Sequence, residues 1–313
     1  NRYWTSLKPF IYLVIFFGMT GLRVNWPLRQ IAYGVVIGYP LLLVWNIALW
    51  WARDGFFMTR PNFLFENNFE VPFLLYCFVI IAFIYKDKDL RIYLLVAISV
   101  LLTGSRSGLA SFMAVSVFYL FSLDRKKIWW VGSAIVGVLA YLVFIRGVSS
   151  FNAGKIDQID RLKTFMGLLS FYDFRFSEIL RYPLGVGIYQ KIPLGICNKM
   201  EGYADWFTGN FFNCDPIMLQ SFVARALYQF GIYVLILIPA LYLYELWRKM
   251  GWYMALLLVT PILLTSFSVG GFSNGLSFGG LVLAILAYTQ YHTAQTQTTL
   301  AGAVGAPSLQ QSK

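Results

Sequence analysis

The sequence predicts an all-α protein that crosses a membrane several times. Hydrophobic residues make up 58% of its 313 residues and charged residues only 12%, whereas a soluble domain carries about 25% charged residues. The apolar residues form successive long segments, and short polar connections separate them. Basic residues are concentrated in alternate connections, which is typical of membrane proteins with a fixed orientation.

Crossing a bilayer takes about 17–25 mainly apolar residues, and about nine segments approach this length. They are residues 8–22, 31–51, 71–85, 90–103, 109–123, 128–145, 217–246, 252–269 and 276–291. Residues 1–145 would hold six helices and a loop at 52–70, and residues 217–292 would hold three more. Between them, residues 146–216 form a large loop, and residues 293–313 are polar enough to predict a disordered tail.

Four short connections fix the predicted orientation. Residues 23–29 and 247–249 carry two basic residues each, and residues 86–91 and 124–127 carry three each. These connections alternate along the chain, so they lie on one side, which the positive-inside rule makes cytoplasmic. The loops at 52–70 and 146–216 then lie outside and the tail lies inside. The net charge of +11 is therefore an orientation signal, and no stretch suggests a nucleic-acid partner.

The large loop at 146–216 has the composition of a folded cap. It is rich in aromatic residues, and residues 157–169 predict an amphipathic helix with Ile159, Leu162, Phe165 and Met166 on one face. Cys197 and Cys214 either form a disulfide in an oxidising compartment or remain free thiols. The cap also carries eight basic residues on the side where they are normally depleted: Arg146, Lys155, Arg161, Lys163, Arg175, Arg181, Lys191 and Lys199.

That positive charge has two interpretations. Long loops are translocated regardless of charge. Alternatively, the outer face binds an anionic ligand, for which the forked guanidinium of arginine is a suitable donor.

Ser105-Arg106-Ser107-Gly108 lies between two apolar runs, and its glycine and serines predict a turn between helices. A charge inside a long apolar stretch is costly and is by default a functional-site candidate. The alternative is an arginine at a helix end whose charge reaches the lipid headgroups.

Carboxylates supply the candidate base. Glu66 and Glu70 are four residues apart on the outer side, so they share a face if that segment is helical. Desolvation raises the pKa of a carboxylate and suits it to base catalysis near neutral pH; alternatively, the pair is solvated at a helix start. The single histidine, His292, lies at the cytoplasmic end of the last segment. We expect neither a metal site nor a cofactor, because the outer segments show no carboxylate cluster and no nucleotide-binding motif; the alternative is a magnesium site made of carboxylates and water.

The stretch from Arg175 to Gly187 contains a second motif. Arg175, Glu178 and Arg181 follow each other at intervals of three, and Pro183-Leu184-Gly185-Val186-Gly187 then ends the helix. The alternative to a ligand site is an exposed ladder of arginine and glutamate side chains.

Taken together, these motifs resemble the O-antigen polymerase and O-antigen ligase superfamily of bacterial envelope glycosyltransferases. The resemblance rests on Ser105-Arg106-Ser107-Gly108, on an arginine preceding Pro183-Leu184-Gly185-Val186-Gly187, and on Ser221, Phe230 and Gly231 at the helix after the loop. It covers roughly residues 53–231 and implies a GT-C-like membrane fold. Family members carry more helices than this chain, so we expect further helices before Asn1.

The resemblance implies polymerisation of undecaprenyl-diphosphate-linked oligosaccharide repeat units at the periplasmic face of the bacterial inner membrane, without metal or cofactor. The product would be O-antigen, capsule or exopolysaccharide, and membrane lipids and a chain-length regulator are the expected partners. Arg106 and Arg175 match the family's arginines, and Glu66 is the expected base, ahead of Glu70, Glu178 and Asp215. The expected substrate-binding residues are Arg60, Arg161, Arg181, Ser105 and Ser107.

Three other functions remain open: an O-antigen ligase, a flippase or transporter, and a non-catalytic membrane scaffold, which would leave the outer arginine cluster unexplained. Ligases of the superfamily place a histidine near the end of the large loop, where this chain has Asn213-Cys214-Asp215. A flippase or transporter of lipid-linked oligosaccharides would also have many helices and internal arginines.

Overall fold

The computed structural model is mostly helical. It describes residues 2–54, 70–103, 105–123, 125–140, 160–197, 214, 216, 219, 221–267 and 271–304. Within these ranges no strand occurs, so the predicted all-α class is confirmed for them.

Twelve helices are described. They are α1 (Arg2–Met19), α2 (Leu28–Asp54), α3 (Glu70–Val79), α4 (Leu90–Thr103), α5 (Arg106–Phe121), α6 (Arg125–Ala140), α7 (Asp160–Phe171), α8 (Phe176–Arg181), α9 (Leu194–Cys197), α10 (Phe222–Met250), α11 (Trp252–Ser266) and α12 (Gly275–Val304). A π-helical turn, Ile80–Ile84, continues α3, and a 3₁₀ turn, Gly271–Ser273, precedes α12.

Among the residues described, two helical stretches are long and apolar enough to cross a membrane: Leu28–Leu49 and Phe222–Met250. Shorter apolar helices cover Ser6–Met19, Glu70–Ile84, Leu90–Thr103, Ser107–Phe121 and Trp252–Ser266. The described helices thus follow the apolar segments of the sequence, although most are shorter than a full span.

The start of α10 corrects one predicted boundary. The helix begins at Phe222 and not at residue 217, because Ser221 caps it: the Ser221 hydroxyl accepts a hydrogen bond from the Ala224 N–H at 3.3 Å. Leu219, predicted to be helical, is buried against the cap instead.

The polar tail is a second correction. Residues 293–304 continue α12 as helix, where a disordered tail was predicted from residue 293. Threonine hydroxyls along α12, including those of Thr293, Thr296 and Thr298, donate to carbonyl oxygens one turn earlier and so satisfy their polar groups within the helix. Residues 305–313 lie outside the described part of the chain.

Helix α3 is the centre of the bundle. All of its residues except Phe73 are buried, and it contacts α2, α4, α5, α11 and α12. The Tyr76 hydroxyl donates to the Leu258 carbonyl oxygen at 2.8 Å. On the other side, a Cβ on Gly280 would come within 2.6 Å of the Tyr76 ring, so α12 packs closely here.

Specific contacts fix the directions of the helices. Helix α12 is parallel to α3, since Gly280 lies beside Tyr76 and Tyr291 packs on Tyr85. Helix α1 is parallel to α10, with Phe10 on Phe230 and Phe16 on Tyr242. Helix α5 is antiparallel to α11, where the Ser111 hydroxyl donates to the Pro261 carbonyl and the Tyr253 hydroxyl to the Phe118 carbonyl.

The basic connections of the sequence meet at one end of the bundle, which we call the basic end (residues 20–29, 85–91, 121–123 and 245–251). Arg29 pairs with Asp87 at 3.5 Å, Lys88 donates to the Ser122 carbonyl, and Lys249 donates to the Thr20 carbonyl at 2.7 Å. The contacts therefore join connections that are far apart in sequence.

Glu245 is the buried anion of the basic end. Its side chain is 3% exposed and pairs with Arg248 at 2.8 Å and with Lys249 at 3.5 Å. The Thr20 hydroxyl also donates to it at 3.3 Å, which ties the end of α10 to the end of α1. These partners offset the cost of burying the carboxylate.

The described part of the cap packs on the first half of α10. Leu168, Tyr172, Ile192, Cys197 and Cys214 form one buried cluster with four residues at or near the start of α10: Leu219, Ala224, Leu227 and Tyr228. The amphipathic helix predicted at 157–169 is α7, but its buried face includes Leu168, and Met166 is 45% exposed. Phe165, Leu168 and Tyr172 follow each other at intervals of three and four residues and pack in this cluster, so the buried face includes Phe165 but not Met166.

Candidate functional site

Buried polar side chains concentrate at the end of the bundle opposite the basic end. We call this group the polar end: Glu70, Thr103, Ser105, Ser111, Ser221, Arg225, Gln229, Thr265, Ser266 and Ser277, each at most 9% exposed. They lie near the starts of α3, α5, α10 and α12 and the ends of α4 and α11. Buried polar groups are costly unless they are hydrogen-bonded, so such a concentration is typical of a functional site.

The turn between α4 and α5 lies at the polar end, as predicted for Ser105-Arg106-Ser107-Gly108. Helix α4 ends at Thr103 and α5 begins at Arg106. Ser105 is the N-cap: its hydroxyl accepts from the Gly108 N–H at 3.2 Å. Ser107 is half-buried, and its carbonyl oxygen accepts from the Ser111 hydroxyl at 2.8 Å. The Arg106 side chain lies outside the described part of the structure.

Gly108 brings the start of α5 against the start of α3. A Cβ at Gly108 would lie 2.8 Å from Cγ1 of Val71, so a larger residue would push the two helices apart. Val71 follows Glu70, which is 3% exposed at the start of α3. Arg106 and Glu70 therefore begin two helices that touch at this end.

Helices α10 and α11 join the same region through serines. The Ser221 hydroxyl donates to the Ser266 carbonyl oxygen at 3.1 Å, and the Ser266 hydroxyl donates to the Ile262 carbonyl at 2.6 Å. Because α11 also contacts α5 through Ser111, the start of α10 and the start of α5 lie at the same end of the bundle.

Arg225 is a buried cation that the sequence analysis missed. It is 9% exposed, and its Nε and Nη2 donate to the Leu219 carbonyl oxygen at 3.3 and 3.2 Å. Ser221, Arg225 and Gln229 are four residues apart and lie on one face of α10. This spacing, with a lone arginine in an apolar run, is the signal that could have identified it.

Gln229 completes that face. Its side chain is 3% exposed, and its Oε1 accepts no hydrogen bond within the described ranges. An unpaired buried amide oxygen costs about 1–3 kcal/mol. Gln229 Oε1 is thus a buried polar group that the described part of the structure leaves unsatisfied.

The helical path of α10 is broken at Gly231, just after this face. Gly231 has φ +74° and ψ −176°, a conformation that is essentially restricted to glycine. The break frees two carbonyls from their helical partners. The Val186 N–H donates to the Tyr228 carbonyl at 2.9 Å, and the Gly187 N–H donates to the Gln229 carbonyl at 3.1 Å.

The cap stretch 183–187 is therefore docked on the break in α10. A Cβ on Gly231 would overlap the Pro183 carbonyl oxygen, and one on Gly185 would lie 2.5 Å from the carbonyl carbon of Gln229. Gly185 also has a positive φ of +70°. The structure thus brings together two of the three stretches on which the family resemblance rests.

No family model, curated protein or solved structure matches the chain. The residues at the polar end and in the cap are therefore the basis for assigning a function.

The two arginines of the cap motif are exposed. Arg175 is the N-cap residue of α8, and the Arg181 guanidinium pairs with Glu178 at 3.0 Å. The arginine–glutamate ladder is thus present for Arg181, and such an exposed pair contributes about 1 kcal/mol or less. The prediction that 183–187 turns the chain is confirmed, since α8 ends at Arg181 and the Gly185 N–H donates to the Tyr182 carbonyl at 2.9 Å.

Tyr172 anchors the cap near Arg175. Its hydroxyl donates to the Leu227 carbonyl at 3.3 Å, and burial raises the pKa of Tyr172 to about 12. The hydroxyl therefore stays protonated and remains a donor throughout the physiological pH range.

Several predicted site residues lie outside the described part of the chain: Glu66, Arg60 and Asp215. The Arg161 backbone belongs to α7, but its side chain is also outside it. Of the alternative bases, Glu70 is buried at the polar end and interacts electrostatically with Tyr39 of α2. His292 packs against Tyr288 and Tyr291 towards the basic end.

Of the two alternatives for Cys197 and Cys214, the structure shows the disulfide, whose Cα atoms are 5.8 Å apart. It joins α9 to the segment that leads into α10, and the Ile192 N–H donates to the Cys214 carbonyl beside it at 2.8 Å. Both cysteines are buried in the cluster between the cap and α10.

Replacing Cys214 by serine is expected to loosen the cap. The disulfide closes a loop of 17 residues, and loops of this size gain about 3 kcal/mol from the cross-link. Limited proteolysis should cleave the cap of the Cys214→Ser variant faster than that of the wild-type protein. Cys77→Ser, at the free buried cysteine of α3, is the control; equal cleavage of Cys214→Ser and wild type would contradict a stabilising role for the disulfide.

Proposed function

We propose that the chain spans the bacterial inner membrane about nine times, with the polar end facing the periplasm. Only 22% of the apolar stretch Leu28–Leu49 and 39% of that in Phe222–Met250 is buried. A core helix of a soluble protein would be mostly buried, so exposed side chains such as Leu41, Trp45, Ile236 and Leu237 favour contact with lipid. The meeting of the basic connections at one end supports a cytoplasmic position for that end.

We infer that the chain is a glycosyltransferase that polymerises undecaprenyl-diphosphate-linked oligosaccharide repeat units into a surface polysaccharide. The observation that carries this proposal is the convergence of three separate stretches. The cap stretch 183–187 docks on the break in α10 at Gly231. Ser221 and Arg225 lie at the start of that same helix. Helix α11 in turn links α10 to the start of α5, beside Arg106.

The reaction breaks the bond between the donor's anomeric carbon and the diphosphate oxygen. A hydroxyl oxygen of the acceptor sugar attacks that carbon, the electron pair of the broken bond stays on the lipid diphosphate, and the hydroxyl proton goes to a carboxylate. The departing diphosphate gains negative charge, which fixed cations stabilise. We assign this role to Arg106 and Arg175, with Arg60, Arg161 and Arg181 as further phosphate contacts.

Arg225 extends this set of cations. It is held in place by the Leu219 carbonyl, and its burial strengthens its field at the polar end. Ser105 and Ser107 bind the substrate beside Arg106. Glu66 is the proposed base, and Glu70, buried at the start of α3, is the alternative.

Exposed aromatic side chains of the cap suit the sugar portion of the substrate. Phe174, Phe176 and Tyr189 are between 59% and 78% exposed in the same segment as Arg175. The C–H faces of sugar rings are apolar and stack on such rings, while the arginines contact phosphate. A protein that only moved lipid-linked sugars across the membrane would not need this ordered cap.

The ligase alternative is less well supported. Ligases of the resembled superfamily use a histidine on the outer side, and the single histidine of this sequence lies towards the basic end. A chain-length regulator that contacts the outer face is the partner we expect of a polymerase.

Incubating the purified protein with lipid-linked repeat units distinguishes these functions. We expect a ladder of products of increasing length without lipid A–core, since a polymerase uses a second repeat unit as acceptor. A single product that requires lipid A–core would indicate a ligase, and absence of any product would contradict both enzymes and favour a transporter. Glu66→Gln and Glu70→Gln in the same assay identify the base as the variant that loses the ladder.

A further inference from the structure

The part of the cap that docks on α10 exposes apolar side chains. Leu180, near the end of α8, is 48% exposed, and Leu184, in the stretch 183–187, is 70% exposed. Tyr182 between them is also exposed, and we call these three residues the cap edge. A leucine side chain has no polar atom with which to bind a sugar hydroxyl or a phosphate. The proposed glycosyl transfer therefore gives the two leucines no role.

Backbone contacts fix the height of the cap edge along α10. The Tyr233 N–H donates to the Pro183 carbonyl oxygen at 3.4 Å. Two residues further along the cap, the backbone of Gly185 lies against that of Gly231. Leu184 lies between these two anchored residues, so it is held at the level of the break in α10.

The length of α10 converts this height into a depth in the bilayer. The exposed Trp247 and Arg248 mark the basic end of the helix. The hydrocarbon core is about 30 Å thick and a helix rises about 1.5 Å per residue, so about 20 residues cross it. Counted back from Trp247, the outer boundary of the core falls near Leu227, and Gly231 lies roughly 6 Å inside that boundary. This depth rests on the proposed membrane topology and not on the proposed glycosyl transfer.

We propose that the cap edge inserts into the outer leaflet of the bilayer and anchors the cap to lipid. At the level of the break, headgroups meet acyl chains, and this boundary accommodates exposed leucines and is enriched in tyrosine. The same surface continues on α10 with Tyr233 and Ile236, which are each 60% exposed. Arg181, beside Leu180, has an exposed side chain that reaches the headgroup phosphates while its apolar stem stays in the boundary.

Insertion gives the cap a second support besides its docking on the break. It also holds Arg181 at the level of the lipid phosphates, which is the level of the diphosphate in a lipid-linked substrate. The cap would thus be positioned by the membrane that carries its substrate.

Spin labels on single cysteines measure the depth of the cap edge. The full chain is reconstituted into vesicles of phosphatidylethanolamine and phosphatidylglycerol, in a Cys77→Ser background that removes the free thiol and keeps the disulfide. Oxygen is concentrated in the bilayer, whereas a nickel chelate stays in water. We expect the ratio of oxygen to nickel collisions to be several-fold higher for Leu180→Cys and Leu184→Cys than for Leu194→Cys.

Leu194 is the matched control. It is a leucine of the cap and is 64% exposed. It belongs to α9, which the disulfide ties to Cys214, before α10 begins, so its label should lie in water. Ile236→Cys is the reference for a position of α10 that faces lipid.

Three outcomes would overturn the insertion. If the labels at Leu180 and Leu184 meet nickel as often as the label at Leu194, while Ile236→Cys is shielded from nickel, the cap edge lies in water and the membrane topology stands. Rare collisions with both reagents would mean that a protein covers the edge. If Ile236→Cys itself meets nickel, the proposed topology fails together with the insertion. The melting temperatures show that the labelled variants are folded, and the product ladder is a separate result, since polymerisation can fail with the edge inserted.

Discussion

The Gly231→Ala variant is expected to lose both cap docking and polymer synthesis. At φ +74° and ψ −176° a residue with a Cβ is strained by about 1–3 kcal/mol. In addition, the new Cβ would overlap the Pro183 carbonyl oxygen. The cap must then move away, and the hydrogen bonds from Val186 and Gly187 to α10 are lost.

A second glycine provides the matched control. Gly251, between α10 and α11, has φ +80° and ψ 161°, and a Cβ there would meet nothing within 4 Å. Gly251→Ala therefore carries the backbone strain without the clash, so we expect a lower melting temperature with the product ladder retained. Both variants are compared by formation of the product ladder and by proteolysis of the cap. If Gly231→Ala keeps the ladder and resists proteolysis as well as Gly251→Ala does, docking on the break is not needed.

The Arg106→Ala variant is expected to lower the polymerisation rate by about two to three orders of magnitude, the usual effect of removing one group that stabilises developing negative charge. Arg106 is the first residue of α5 and follows Ser105, the buried N-cap residue of that helix. Since the N-cap hydrogen bond is made by Ser105 and not by Arg106, the start of α5 should survive the substitution.

Arg106→Lys separates the two interpretations of this residue. A lysine reaches lipid headgroups as well as an arginine does, so a merely snorkelling side chain would tolerate the exchange. Recognition of a diphosphate uses the bidentate fork of the guanidinium, which lysine lacks. We expect Arg106→Lys to lose most of the rate, while Arg91→Ala, at an exposed arginine of the basic end, keeps it.

The apolar segments and the basic connections predicted much of the helical framework, because each can be recognised from the types of neighbouring residues in the sequence. The turn at Ser105-Arg106 and the end of α8 before Pro183 could also be predicted from nearby residues, since an N-cap serine and a proline affect the backbone only within a few residues. The disulfide between Cys197 and Cys214 was one of two open alternatives, and only the three-dimensional structure selects it.

Features that depend on tertiary contacts could not be predicted in this way. Gly231 lies in an apolar run that favours an unbroken helix, and the break exists because the cap stretch 183–187 satisfies the freed carbonyls. Arg225 could have been singled out as a lone arginine in an apolar run, but its burial and its hydrogen bonds to the Leu219 carbonyl depend on the fold. Disorder of residues 293–313 was predicted from their polar composition alone. Composition does not show that threonine hydroxyls can donate hydrogen bonds to carbonyl oxygens of their own helix, as Thr293 does.

The measurement that tests the central proposal most directly is the release of undecaprenyl diphosphate by the purified protein supplied with lipid-linked repeat units. Each new glycosidic bond should free an equal amount of lipid diphosphate, and Arg106→Ala should release almost none. Polymer growth without release of lipid diphosphate, or undiminished release by Arg106→Ala, would contradict the proposal that the polar end stabilises this leaving group.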